Sequence, residues 1–258
     1  MSAAHAPRRF RATARANAAA TAAAALGVIA TGAVAFTAGC RGPGASDAVA
    51  YGEGLFNSPS MSTSLFNHFS CATCHAATSD PTPGRIYAGY PLANVAFRDG
   101  LWGGYEPTLR DAASFCLVFF MRGEPLASDD LRGRALYEYL ASLSPDDPSP
   151  ALPLTVVETV EEVDRGDPAR GRAVYDAACH NCHGTYPGGH HRLDRSIPRL
   201  VDQFETYPEH FPGIDPALVI VEKVRHGQFF GVGGVMPLYS REALSDEDLG
   251  ALIAYLGF

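Results

Sequence analysis

Positive charge is scarce in this chain, and lysine is almost absent. Its 258 residues carry 20 Lys and Arg against 28 Asp and Glu, a net charge of −8, and Lys223 is the one lysine. A nucleic-acid binder would carry the opposite balance. Charged residues make up only 19% against 47% hydrophobic, which excludes wholesale disorder. Cysteine is sparse as well. Six residues, unevenly spaced, do not make the framework of a disulfide-stapled mini-protein. The lysine shortage is a compositional bias and carries no functional reading.

Charge vanishes altogether between Ala16 and Cys40. Arg8, Arg9, Arg11 and Arg15 precede this stretch, and Thr37-Ala38-Gly39-Cys40 closes it. A basic start, an apolar run and small residues at a cut form a secretory signal. The closing four residues resemble a bacterial lipoprotein box, so residues 1–39 read as the signal, Cys40 as the lipidated first residue, and 40–50 as a tether. Cleavage near Ala35–Ala38 and an uncleaved Ala-rich anchor are the competing readings, since the uncharged stretch is just long enough to span a bilayer. Removal of residues 1–39 takes four arginines away and makes the balance more acidic, 16 − 28 = −12. The expected location is the periplasmic side of a bacterial membrane, lipid-anchored or soluble.

The rest of the chain repeats itself. Cys71-Ala-Thr-Cys74-His75 recurs as Cys179-His-Asn-Cys182-His183. Ala135-Leu136-Tyr-Glu-Tyr139-Leu140 is echoed by Ala251-Leu252-Ile-Ala-Tyr255-Leu256. Leu136, Tyr139, Leu140 and Leu143, like Leu249, Leu252, Ile253 and Leu256, fall at i, i+3, i+4, i+7, the spacing of one helix face. Ser128 and Ser245, each followed by acidic residues, read as helix starts. Between the copies, Ser144-Pro-Asp-Asp-Pro-Ser-Pro150 breaks any helix and reads as a stiff connector. The expected organisation is a domain at 51–146, a Pro-rich linker at 147–162 and a domain at 163–258. Each is small for a self-sufficient core, a problem that a large apolar cofactor solves.

CxxCH supplies that cofactor. Two thiols one helical turn apart can form thioethers with haem vinyl groups while the adjacent His takes the iron, so the motif reads as c-type haem attachment. A zinc knuckle gathers four ligands from two such pairs, and a thioredoxin-like pair needs no His; here each pair has its own His and its own repeat, behind an export signal. Two covalent haems c are expected, on Cys71 and Cys74 and on Cys179 and Cys182, with His75 and His183 as axial ligands. Such haems are attached outside the cytoplasm to unfolded chain, which favours general secretion over a twin-arginine reading of Arg8-Arg9-Phe10.

These residues resemble the class I cytochrome c family, closely over 163–258 and less closely over 51–146. The resemblance implies an all-α class, two tandem small helical folds each wrapped around a haem. Asp167-Pro168 fits the start of that family's N-terminal helix, and Gly171-Arg-Ala-Val-Tyr175 its body. Gly234-Val235-Met236-Pro237 is similar to the loop that delivers an axial Met, and its separation from His183 is usual for the family. Met236 is therefore the expected sixth ligand of the second haem. His180, His190, His191, His210 and His226 read as surface histidines.

The first half lacks that loop. The stretch from Gly123 to Ala135 is half as long as the matching stretch from Gly227 to Ala251. Residues 111–123 read instead as a buried helix beside the haem, carrying Cys116 and Met121. Five residues apart on an α-helix, these two point about 140° away from each other, so only one should face the iron. His68, Met61 and an open site are the further alternatives. Met61 falls in an insertion, because Gly54 to Cys71 is about twice as long as Gly171 to Cys179. Cys116 is the thiol that lipidation and haem attachment leave over. Cys116-x4-Met-x-Gly, followed by Glu124-Pro125-Leu126, resembles the segment that supplies an axial cysteine in thiosulfate dehydrogenases and related sulfur-oxidising dihaem cytochromes. Phe115 stands where that family carries Arg, so an anion site would need Arg98, Arg110 or Arg122. Trp102, Tyr105 and Phe115, Phe119 and Phe120 are expected against the first haem.

The leading expectation is a dihaem carrier of single electrons with an acidic surface suited to partners that have a basic docking face. The alternative is an oxidoreductase in which Cys116 acts at the first haem and the second is the electron exit. A lipid on Cys40 would attach either to a membrane, and a subunit of a larger respiratory complex is a third form.

Overall fold

The computed structural model describes residues 45–144, 148–230, 234 and 236–258. The stretch expected as a signal at 1–39, the expected lipidation site Cys40 and the start of the expected tether lie outside the described residues. Among the described residues the regular structure is helical, with no strand.

Nine α-helices follow in order among these residues: α1 Ala45–Phe56, α2 Cys71–Cys74, α3 Leu109–Phe115, α4 Leu131–Ser142, α5 Pro168–Val174, α6 His180–His183, α7 Leu200–His210, α8 Pro216–His226 and α9 Asp246–Leu256. Their starts follow local chemistry. Asp167 accepts from the Ala169 and Arg170 amides with Pro168 behind it, and Ser245 accepts from the Asp248 amide ahead of three acidic residues. The expected start at Ser128 moves to Asp130, whose carboxylate accepts from the Arg132 amide and pairs with the Arg132 guanidinium at 2.8 Å. A charged acceptor with its own cation nearby outcompetes the hydroxyl two residues earlier. α1 begins at Ala45, inside the stretch expected as a tether, with Asp47 in its first turn.

The sequence echo is an echo of packing. α1 crosses α4 where Gly52 meets Ala135, and α5 crosses α9 where Gly171 meets Ala251. A Cβ on Gly52 would lie 2.0 Å from the Ala135 carbonyl oxygen, and one on Gly171 1.9 Å from that of Ala251. Tyr139 and Tyr255 take the same place one turn on, and rings close each crossing: Phe56 on Tyr139 at 5.5 Å and Tyr175 on Tyr255 at 5.8 Å. Gly52, not Gly54, is therefore the counterpart of Gly171. Gly54 faces open space, so the insertion before Cys71 is two residues longer than its count from Gly54 implies. Two backbones this close leave no room for a methyl group. Gly171→Ala is expected to cost on the order of 2–3 kcal/mol, read as a lowered denaturation midpoint of the haem-loaded protein; an unchanged midpoint would refute the close crossing.

The described residues form one compact unit. The connector is part of it. Ser149 exchanges backbone hydrogen bonds with Phe97 (3.0 Å) and Asp99 (2.8 Å), the Tyr90 hydroxyl donates to the Pro153 carbonyl at 2.6 Å, and the Thr155 amide donates to the Glu242 carboxylate at 3.0 Å. The Ile86 amide adds a bond to the Ala177 carbonyl at 3.0 Å, and His68 pairs with Asp194 at 3.5 Å.

Candidate functional site

In the first half α2 is one turn long, so Cys71 and Cys74 share a face. The Ser70 amide donates to Thr73 Oγ1 at 3.0 Å at its start, and the His75 amide closes it on the Cys71 carbonyl at 2.9 Å. His75 Nδ1 lies 2.8 Å from the Tyr90 carbonyl. A carbonyl can only accept, so Nδ1 carries the proton and Nε2 keeps its lone pair free for a metal. Gly89 backs the ring, where a Cβ would lie 2.1 Å from the imidazole, and its amide donates to the Cys74 carbonyl at 2.9 Å. Burial lowers the pKa of His75 and keeps the ring neutral, and it pushes the Cys71 thiol up to about 11.

The motif opens on a cavity of about 430 Å³. Cys71, Cys74 and His75 line it, together with Cys116 and Met121. Trp102 and Phe120 add apolar wall, and Leu152, Leu238 and Ala243 belong to the connector and the second half. A flat apolar macrocycle fits such walls. A discordant atom among them is Arg98 Nε, buried without a hydrogen-bond partner while Nη2 is anchored on the Pro91 and Ala93 carbonyls. A buried donor of this kind costs free energy unless an acceptor meets it, and a haem propionate is such an acceptor. Arg98 acts on His75 and sits beside Tyr90, so it belongs to the histidine side. Arg110 instead pairs with Asp111 at 3.3 Å, and Arg122 is exposed.

The stretch expected as one buried helix is α3 followed by a π turn, Cys116–Phe120. The Met121 amide donates to the Cys116 carbonyl at 3.1 Å, an i to i+5 bond. That wider turn brings residues five apart onto one face, so Cys116 and Met121 both reach the cavity instead of pointing to different sides. They are not equally open to it. Met121 is only 4% exposed, and its carbonyl accepts from Ser62 Oγ at 2.8 Å; Cys116 stays half-buried. Burial pushes the Cys116 thiol up to about 12, and Cys71 adds to the rise. Met61 also lines the cavity at 1% exposure, whereas His68 turns to Asp194. Phe115, Val118 and Phe119 are exposed on the outer side, with the Trp102 ring 5.0 Å from Phe115 and 6.2 Å from Phe120; Tyr105, 80% exposed, stands outside this cluster.

The second motif follows a π turn, Tyr175–Cys179, that leads from α5 into α6. His183 Nδ1 faces the Pro198 carbonyl at 3.5 Å, fifteen residues on, the same separation as from His75 to Tyr90. Burial keeps His183 neutral and pushes the Cys179 thiol up to about 12. Met236 packs half-buried on the second core, its amide bonded to the Gly227 carbonyl at 2.9 Å. Lys223 Nζ donates to that carbonyl at 3.0 Å and to the Gly234 carbonyl, tying both ends of the loop; burial brings its pKa down to about 8.

Several contributors carry no sequence signal. Tyr90 and Pro198 act through carbonyls, which every residue has. Tyr239 donates to the Ala178 carbonyl at 2.9 Å just ahead of the second motif. His226, expected at the surface, bridges Glu222 at 2.6 Å and the Val157 carbonyl, while Glu222 also accepts from the Phe230 amide at 3.0 Å. Burial would lower its pKa, but the bonds to Val157 and Glu222 outweigh burial and raise it. Both ring nitrogens face acceptors, as suits imidazolium. A raised folded pKa gives stability present at acid pH and lost as pH climbs past the usual 6.5 and through the folded value. The wild type should therefore exceed His226→Gln in denaturation midpoint at acid pH and converge with it at alkaline pH; a gap independent of pH would contradict the charged bridge.

Residues 166–256 match the family model described as cytochrome C oxidase, cbb3-type, subunit III. The match supports a c-type cytochrome domain over this stretch. The matched stretch contains Cys179, Cys182, His183 and Met236, and a cytochrome c domain implies covalently bound haem c and electron transfer. No curated protein matches the chain. No helix among the described residues is long and apolar enough to cross a membrane.

Proposed function

We propose that the chain is an exported dihaem c-type cytochrome that carries single electrons between redox partners. One haem is held by Cys71, Cys74 and His75, the other by Cys179, Cys182, His183 and Met236. Each bound haem supplies an iron that gains and loses one electron. The residues of the chain do the rest. Tyr90 and Pro198 orient the axial imidazoles and fix their tautomer, Arg98 meets an anionic edge, and apolar walls exclude water. The observation that carries this reading is the double repeat: an imidazole facing a carbonyl fifteen residues on, and a glycine crossing an Ala-Tyr helix, in both halves. The test is a haem count by alkaline-pyridine spectrum and peptide mass. Two haems per chain are expected, on peptides bearing Cys71 and Cys74 and Cys179 and Cys182; one haem would end the dihaem reading.

Cys116 is the sixth ligand we assign to the first haem: both it and Met121 line the cavity, and Cys116 is the less tightly packed of the two. The same placement favours a second reading, a thiosulfate dehydrogenase-like enzyme acting at the first haem with the second as exit. Arg98 does not replace the missing arginine of that family, because it lies on the histidine side. Turnover of thiosulfate with an electron acceptor decides the matter, and no turnover with both haems in place leaves the carrier.

Lipidation at Cys40, attachment to a membrane, a basic docking face on partners and membership of a respiratory complex remain part of the proposal. They rest on the N-terminal pattern and the acidic balance.

A further inference from the structure

The segment that turns from the first motif back to His75 also touches the second half. Arg85 Nη2 donates to the Thr73 carbonyl at 2.9 Å and the Ala72 carbonyl at 3.3 Å, the two residues between Cys71 and Cys74. Its neighbour Ile86 donates to the Ala177 carbonyl at 3.0 Å, two residues before Cys179. The guanidinium lies 4.2 Å over the Tyr87 ring, and no carboxylate pairs with it among the described residues. Carbonyl partners leave its charge uncancelled. Both motifs lie close to that charge: Arg85 holds the turn of the first, and Ile86 beside it holds the residue two before Cys179 in the second. Tyr239 anchors the same approach to the second motif through the Ala178 carbonyl. The two attachment turns therefore meet around one cation.

We propose that Arg85 is a shared charge between the two haem attachment sites that raises the reduction potential of both together. The inference rests on the dihaem reading. Reduction makes each site one unit more negative, and a fixed cation nearby favours the reduced form. The interaction falls off with distance and is screened weakly where the cation is partly buried. A cation placed between the sites acts on both, so it sets their common level while the sixth ligands set the gap. Arg98, confined to the His75 side, lacks this reach.

The experiment is a spectroscopic redox titration of the full chain, after the wild type has been shown to bind two haems; a single haem there would fail the dihaem reading before any variant is made. Arg85→Gln, which still offers a donor to the Thr73 carbonyl, should lower both midpoints by similar amounts and preserve their separation. Arg85→Lys should hold both near wild type. A fall in one midpoint alone, or in neither, overturns the proposal. Should Arg85→Gln take up no haem, Arg85→His replaces it. Both midpoints should then drop further than in wild type as pH rises through the imidazole range, and a drop matching wild type overturns the proposal equally.

Discussion

Fully oxidised protein is expected to give two low-spin EPR signals, one of thiolate type and one of His/Met type, with Cys116→Ala abolishing the first and Met121→Leu leaving it. Both sulfur side chains share one wall because the π turn folds residues five apart onto one face, but Met121 is the more tightly packed, at 4% exposure, and Ser62 holds its backbone carbonyl. The potential should move with the signal. A thiolate lowers a haem potential and a thioether raises it, and axial ligands spread haem potentials over about 0.8 V. Cys116→Met is therefore expected to raise the first midpoint by on the order of 0.1 V or more and to leave the second nearly unmoved. Two His/Met signals in the wild type would assign Met121, return Cys116 to packing and remove the chief support of the sulfur-oxidising reading.

Replacing both Cys71 and Cys74 by Ala should cost far more than a cofactor. A cavity of about 430 Å³ left without its occupant forfeits on the order of 10 kcal/mol at ~24 cal/mol per Å³. A whole domain is commonly stable by only about 5–15 kcal/mol. The loss is as large as that whole stability, so the packing of the first half is expected to loosen or fail around an empty cavity. The variant should carry one haem, lose near-ultraviolet dichroism and be cut by protease within residues 57–144, with the second haem still bound. Resistance equal to wild type, with one haem bound, would show that the first half packs without its cofactor.

Much of this is legible in the sequence because it is local. The attachment motifs are five-residue patterns, the α4 and α9 faces follow a helical period, and Asp167-Pro168 and Ser245 are caps whose partners lie within three residues. What escapes is of two kinds. Periodicity assumes an α-helix, so a single π turn is enough to reverse the relation between Cys116 and Met121. Contacts over long separations leave no pattern: the Tyr90 and Pro198 carbonyls, Arg85 between the motifs, and the bond between Thr155 and Glu242 depend on where the chain returns. Spacing alone picks Gly54 over Gly52 for the same reason, since only the crossing with Ala135 distinguishes them.

The first cavity is walled in part by Leu152 and Leu154 of the connector and by Pro237, Leu238 and Ala243, close to the far end of the chain. A wall drawn from both halves of the sequence bears on biogenesis. While the chain emerges N-terminus first, the Cys71-Cys74 pair stands free of residues 237–243; once these dock, they wall it on one more side. For the proposed first haem, attachment is therefore expected to come before that docking.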